Sequence, residues 1–195
     1  SGTTAAASTT TDTTAAGSTT TDETTGPPQP ETTGPPSCDG MFVKQIRLVA
    51  EAGVTPPMVA GQSNFNEGLV AYSVYAEQGA VTFTFDVPCA GSFAVWGRVL
   101  DAEPGVNYYD PDSFYVQSDG GAEAGWFYGC QTLGLQPAYN WLRVRTGQEG
   151  APCDQQAPLT LDLAAGTHTI TLRNREQVDG QDHVAAVARL LIVNN

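Results

Sequence analysis

Residues able to do acid–base or nucleophilic chemistry are few in this chain of 195. The only imidazoles are His168 and His183. His168 alternates with Ile170 and reads as a core residue with satisfied hydrogen bonds, while His183 falls in a polar stretch before the last apolar run. Neither stands with a G-x-S-x-G nucleophile or an H-E-x-x-H helix, both of which are missing from the sequence. Two carboxylates can hydrolyse a glycoside when they face one groove at a fixed separation. Here Glu51 and Glu77 fall at strand ends, and Glu67, Glu103, Glu123 and Glu149 fall in loops. No catalytic residue is assigned, and the chain is expected not to be an enzyme. Arg175-Glu176 reads instead as an ion pair at a strand end, with Arg98 as a candidate partner.

What the chain does repeat is a tryptophan followed two places later by an arginine, in Trp96-Gly97-Arg98 and in Trp141-Leu142-Arg143. Side chains two apart in a strand share a face. Phe93, Val95 and Val99 therefore point one way and Trp96 and Arg98 the other. The same rule turns Leu142 and Val144 inward and Trp141, Arg143 and Arg145 outward. It also sets His168, Ile170 and Leu172 opposite Thr169, Thr171 and Arg173.

Short β-branched and aromatic runs separated by Gly, Pro, Asn and Asp must position these residues. They predict strands near 42–50, 69–76, 80–87, 91–100, 112–118, 124–128, 139–145, 158–163, 166–173 and 184–193. No amphipathic 3.6-residue period accompanies them, so the fold class is all-β, an antiparallel sandwich or jelly roll with minimal helix. All seventeen aromatic residues lie between Phe42 and Trp141. The folded domain is therefore placed at 38–195.

Residues 1–37 are built almost wholly from Thr, Ala, Ser, Gly and Pro. Ser8-Thr9-Thr10-Thr11-Asp12 recurs as Ser18-Thr19-Thr20-Thr21-Asp22, and Glu23-Thr24-Thr25-Gly26-Pro27-Pro28 as Glu31-Thr32-Thr33-Gly34-Pro35-Pro36. Without apolar side chains the segment cannot offset its ordering entropy, so it is expected to be a linker or stalk. Its Thr and Pro content also suits O-glycosylation. No N-x-Ser/Thr sequon occurs.

Twenty-one acidic residues against eight basic ones leave a net charge of -13. Such a field repels phosphate backbones, so nucleic acid and anionic membrane are not expected partners, and a neutral or cationic ligand is. No apolar run is long enough to span a membrane. The chain opens in polar sequence without a leader, as a mature or trimmed form would, and a lipid-anchoring cysteine just upstream would fit such a start. Cys38, Cys89, Cys130 and Cys153 show no C-x-x-C spacing and read as two disulfides, which places the protein outside the cytosol. Three pairings are open. The favoured one joins Cys130 to Cys153 and Cys38 to Cys89.

Several segments in order carry a likeness. They are Val95-Trp96-Gly97-Arg98-Val99, Asp112-Ser113-Phe114-Tyr115-Val116 with Asp119-Gly120-Gly121, Trp141-Leu142-Arg143-Val144, Leu163-Ala164-Ala165-Gly166-Thr167-His168-Thr169-Ile170, and Arg175-Glu176. The set resembles the galactose-binding-like β-sandwich of carbohydrate-binding modules, families 6 and 35 in particular. The resemblance implies sugar recognition at loops or on a sheet face, where aromatics stack on pyranose C–H faces and planar polar groups hold the hydroxyls. The candidate ligand-binding residues are Tyr108, Tyr109, Asp110 and Asp112, then Trp126 and Tyr128. A second patch comprises Asn140, Trp141 and Arg143, with Trp96 and Arg98 on the neighbouring outward face. The resemblance also implies a structural calcium. Glu51 looks like its first ligand, whereas the second should fall near Ala188, which has no carboxylate. The partner expected is a poly- or oligosaccharide. The competing expectation is a self-associating surface protein, a homo-oligomer or filament, whose assembly would depend on residues 1–37.

Overall fold

Strict alternation along Ala80–Val87 buries Val81, Phe83, Phe85 and Val87 and leaves Thr84 and Asp86 in water, and the rest of the domain is organised by the same rule. The structure, a computed structural model, describes residues 36–101, 113–131, 138–148, 151–175 and 184–194. The Thr-rich segment up to residue 35 lies outside the described residues.

The strands are β1 (Lys44–Leu48), β2 (Gly53–Thr55), β3 (Val59–Gln62), β4 (Leu69–Tyr72), β5 (Ala80–Val87), β6 (Gly91–Asp101) and β7 (Ser113–Ser118). They continue with β8 (Ala124–Phe127), β9 (Ala138–Arg143), β10 (Arg145–Thr146), β11 (Ala157–Pro158), β12 (Thr160–Leu163), β13 (Gly166–Asn174) and β14 (Ala186–Asn194). One sheet has seven strands in the order β12-β6-β14-β4-β3, with β1 added along β14 and β9 along β6. The second has five, in the order β2-β5-β13-β7-β8. The pairings within both sheets are antiparallel.

Between the sheets lie Phe83, Phe85, Ile170, Leu172, Phe114 and Trp126 from the second sheet, and Phe93, Val95, Val99, Leu190 and Ile192 from the first. Burying one such side chain contributes about 1.5–3 kcal/mol. Trp126 lies under Gly97 of β6, where an added Cβ would stand 2.5 Å from the indole Cη2. That glycine is the space the indole occupies. A smaller cluster of Val70, Leu100, Tyr139, Ala186 and Ala188 sits on the other side of the seven-stranded sheet.

The structure pairs Cys38 with Cys89 and Cys130 with Cys153, the pairs favoured from the sequence. They close loops of 51 and 23 residues, which in the chain-entropy model is about 4 and about 3 kcal/mol of stabilisation. At the first, Cys38 N–H donates to the Ala90 carbonyl at 2.8 Å and Ala90 N–H to the Pro36 carbonyl at 2.7 Å, fixing where the chain enters the domain.

The expected strands are present, with differences at their ends. The run 42–50 stops at Leu48, where Val49–Glu51 makes a 3-10 turn that buries Val49. The run 139–145 divides at Val144, whose N–H donates to the Val95 carbonyl at 2.9 Å. Strands β2 and β3 were not expected. They are short, and their pattern lies close to Pro56-Pro57, which reads as a breaker. Helical structure among the described residues is confined to three 3-10 turns, and none of it is long and apolar enough to cross a membrane.

Candidate functional site

The two Trp-x-Arg segments become neighbours through strand pairing. β6 and β9 run antiparallel with Trp96 opposite Arg143, Arg98 opposite Trp141 and Leu100 opposite Tyr139. Directly opposed residues share a face, so these six side chains stand on the outer surface of the seven-stranded sheet as a checkerboard of rings and guanidinium groups. Diagonal neighbours in such a pair are about 7–8 Å apart, which puts the two indoles side by side. On the far side of β6, β14 sets Arg189 opposite Arg98 and Leu191 opposite Trp96. β1 then adds Leu48 opposite Arg189 and Ile46 opposite Leu191. Trp96, Trp141 and Leu191 are half-buried, while Ile46 and Leu48 are exposed.

The loop between β3 and β4 forms one wall of this platform. Ser63 N–H donates to the Gly68 carbonyl at 2.8 Å and Phe65 N–H to the Ser63 hydroxyl at 3.0 Å. Asn66 and Gly68 take the left-handed backbone that closes such a turn. The loop delivers Glu67, whose two oxygens accept from Arg98 Nε at 3.1 Å and Arg98 Nη2 at 3.0 Å. Arg189 Nη2 approaches the same carboxylate at 3.5 Å. This fork-on-fork contact is the strong form of a charged hydrogen bond, and the Glu67 side chain is only 10% exposed. The loop also stands Phe65 edge-on to Tyr139, with ring centroids 6.5 Å apart. Burial pushes the Tyr139 phenol up to about 12, against an opposing hydrogen bond from Ser63 and with a further push from the Glu67 charge.

Arg143 differs from its neighbours. Its carbonyl accepts from Gln131 Nε2 at 3.0 Å, but its guanidinium has no hydrogen-bond or ion-pair partner among the described residues, and its Nε is buried without an acceptor. Chemically the face offers two adjacent aromatic surfaces, apolar support from Leu191, Ile46 and Leu48, and planar donors beside them. That suits a ligand with flat C–H faces and hydrogen-bonding groups at its edges.

Trp96, Arg98, Trp141 and Arg143 therefore come together. Other candidates do not join them. Asn140 is opposite Val99 on the inner side of β9, because alternation must separate it from Trp141; among the described residues its amide reaches only the Ala138 carbonyl of its own strand, at 3.5 Å. Trp126 and Tyr128 are a correction to the expectation of loop aromatics. Both are fully buried, 5.1 Å apart by ring centroid and packed on Phe114. Trp126 pairs with Phe114 on the inner face, and the outward aromatic of that strand is Phe127, over which Arg175 sits at 4.9 Å. Tyr108, Tyr109, Asp110 and Asp112 lie outside the described residues.

Glu51 is exposed and pairs with Arg47 at 3.3 Å. Ala188, where the second carboxylate was sought, is a buried alanine at a register shift in β14. Among the described residues no three His, Cys, Asp or Glu side chains converge. Arg98, expected near Arg175, pairs with Glu67 instead, and Arg175 donates to the Ser113 hydroxyl at 3.0 Å. Glu176 and His183 lie outside the described residues.

His168 is satisfied, as expected. Its Nδ1 is 2.7 Å from Asp119 and its Nε2 is 3.0 Å from the Ala164 carbonyl. Two acceptors on one ring favour the doubly protonated form.

Glu67, Phe65 and Arg189 were missed by the sequence reading. Glu67 and Phe65 sit in a loop without periodicity, and Arg189 lies in an apolar run where only the β14 bulge turns it outward. No sequence signal pairs them with β6.

No protein-family model matches the chain, and no curated protein matches it. Among solved structures, the GH26-CBM35 β-(1,4)-mannanase of Podospora anserina superposes with a TM-score of 0.51 at 12% identity, over 78% of this chain and 28% of that one. A family 35 carbohydrate-binding module from Clostridium thermocellum gives a TM-score of 0.46 at 16% identity, over 76% of this chain and 97% of that one. The CBM35 of Cellvibrio japonicus Abf62 gives 0.46 at 14% identity, over 78% and 94%. The likeness is one of fold, an antiparallel β-sandwich.

Proposed function

We propose that this chain is a non-catalytic carbohydrate-binding module of an extracellular or surface-displayed protein, and that it takes its glycan on the outer face of the seven-stranded sheet. The observation that carries this reading is the β6–β9 register, which sets Trp96 and Trp141 side by side with Arg98 and Arg143 between them. Pyranose rings stack on such surfaces through their C–H faces, and guanidinium donors take their oxygens. The sandwich fold supports the reading, and the two disulfides suit an oxidising compartment. Support for a non-catalytic role comes from Glu67, the described carboxylate bound to Arg98 of the platform, which spends both oxygens on guanidinium groups.

The test is a glycan array followed by titration of the best ligand against the full chain and against Trp96→Ala and Trp141→Ala. Each variant should bind about tenfold more weakly or worse and melt close to the parent. Loss of binding in Tyr108→Ala with Tyr109→Ala, but in neither tryptophan variant, would move the site to that loop. The rival reading of self-association draws on exposed Met41, Phe42, Ile46 and Leu48. Light scattering that shows concentration-dependent assembly, abolished by Phe42→Ser, would favour it.

A further inference from the structure

We propose that the Cys130–Cys153 disulfide, with Gln131 and Arg145, positions the β9 half of the platform, and that its cleavage by an external dithiol weakens glycan binding while the domain stays folded. The inference rests on the carbohydrate reading above and adds a control on that site.

β9 ends its pairing with β6 at Arg143, opposite Trp96. Val144 N–H then donates to the Val95 carbonyl at 2.9 Å, and the Val144 carbonyl accepts from Leu159 N–H at 2.9 Å. Between Val144 and Leu159 the chain makes an excursion in which β10 pairs with β11, before β12 resumes pairing with β6 at Thr160 opposite Ala94. The excursion leaves directly from the strand end that carries Trp141 and Arg143. Whatever fastens it therefore fixes where those side chains stand against Trp96 and Arg98.

The fastening runs to β8 and the turn after it, on the other sheet. Cys153 is bonded to Cys130. Gln131, the next residue, donates from Nε2 to the Arg143 carbonyl at 3.0 Å, and Gly147 N–H donates to the Gly125 carbonyl at 3.3 Å. Within the excursion, Arg145 Nη1 donates to the Cys153 carbonyl at 3.2 Å and to the Gln156 carbonyl at 3.1 Å. Arg145 thus ties the turn bearing Cys153 to the strand that follows Arg143. Single hydrogen bonds exchange with water at little net gain, so the covalent bond is what holds the set together. The two disulfides also differ in access. Cys38 and Cys89 are 6% and 1% exposed and belong to the main apolar core, whereas Cys130 and Cys153 are half-buried and lie outside it. An attacking thiolate must reach a sulfur, so an external dithiol opens Cys130–Cys153 first. One of its sulfurs forms a mixed disulfide and releases the first cysteine thiol. Its second sulfur then displaces the other cysteine, leaving two cysteine thiols and the oxidised dithiol.

The experiment treats the full-length chain with limiting dithiothreitol, blocks the freed thiols with iodoacetamide and locates them by mass spectrometry. Affinity for the best arrayed glycan is then measured by calorimetry, and the indole N–H resonances of Trp96, Trp126 and Trp141 are followed after assignment through single Trp→Phe variants. Cys130 and Cys153 should be blocked first, affinity should fall about tenfold, and the Trp141 resonance should move while that of buried Trp126 stays and melting remains cooperative. Linkage is reciprocal, so saturating glycan should make the disulfide harder to reduce by the same factor. Cys130→Ser with Cys153→Ser should reproduce the loss. Should that variant fail to fold, Gln131→Leu, which removes only the contact to the Arg143 carbonyl, gives a smaller loss in the same direction. Blocking of Cys38 or Cys89 first, loss of cooperative melting, or unchanged affinity after cleavage overturns the proposal and leaves the carbohydrate reading standing. No binding of the intact chain to any arrayed glycan overturns the carbohydrate reading. A displaced Trp141 resonance then still supports the positioning role, and an unmoved one overturns that as well.

Discussion

The two sheets present outer faces built by the same alternation, yet one is closed on itself and the other is open. On the five-stranded sheet the outward row is Thr82 and Thr84 from β5, Thr167, Thr169, Thr171 and Arg173 from β13, and Tyr115 and Gln117 from β7. Its polar groups find each other. Thr82 and Thr171 hydroxyls meet at 3.0 Å, Thr167 donates to Asp86 at 2.5 Å, and Arg173 grips Glu123 at 2.9 and 2.6 Å while lying 4.1 Å from the Tyr115 ring. On the seven-stranded sheet the outward row is rings and cations, and among the described residues Arg143 has no partner of its own. A surface whose donors are already satisfied gains little from a ligand. A surface with an unspent donor beside half-buried aromatics gains both stacking and a hydrogen bond.

The comparison can be broken first at the core that both faces share. Trp126→Ala should cost about 3–5 kcal/mol and Gly97→Ala about 1–3 kcal/mol by forcing the indole aside, both read as lower denaturation midpoints. If Gly97→Ala were neutral, the contact between β6 and Trp126 would not be what holds the sheets in register. Next in size is Glu67→Gln, which strands Arg98 and Arg189. It should destabilise the domain by about 1–3 kcal/mol and weaken glycan binding together with stability, because the loop wall and Phe65 move with it. Mutations confined to one face sharpen the contrast. Trp96→Ala should lower binding about tenfold or more, whereas Tyr115→Ala on the opposite face should leave binding unchanged; an equal loss from both would place the ligand elsewhere.

The smallest effect is a pH dependence that belongs to the closed face. Burial lowers the His168 pKa, but the Asp119 hydrogen bond, the Ala164 carbonyl and the charges of Asp119 and Asp86 outweigh it and raise the value above 6.5. Burial likewise raises Asp119, and the His168 and Thr169 hydrogen bonds outweigh it, holding it below 3.8. The His168 contribution is fully present below pH 6.5 and is lost as pH rises through its raised value. The Asp119 contribution is present above pH 3.8 and is lost as pH falls through its lowered value. Melting temperature should therefore crest in mildly acidic buffer, and Asp119→Asn should flatten the crest. An unchanged profile would mean that the pair adds nothing to folding.

Much of this was legible in the order of residues. The runs that became β5, β6, β13 and β14 are long and strongly patterned, so tertiary context had little to override. The outward placement of Trp96, Arg98, Trp141 and Arg143 followed from period two alone. The same rule, applied to Asn140, already separates it from Trp141, and grouping the two as one patch set that rule aside. Trp126 and Tyr128 misled for another reason. A short strand bounded by loops shows alternation but not which side is the core, and only the gap left by Gly97 and the facing Phe114 draws the indole inward.

By itself, then, the sequence determined the long strands and their alternation, the cysteines able to pair and the low-complexity composition before Cys38, because these depend on local period and composition. Only the tertiary structure decided that β9 lies beside β6 in the register that joins the two tryptophans. It likewise decided that β14 brings Arg189 to them and that the β3–β4 loop brings Glu67. Such meetings are long-range. They are chosen by which buried faces fit together across the sandwich, a property of the packed core that no window of neighbouring residues contains.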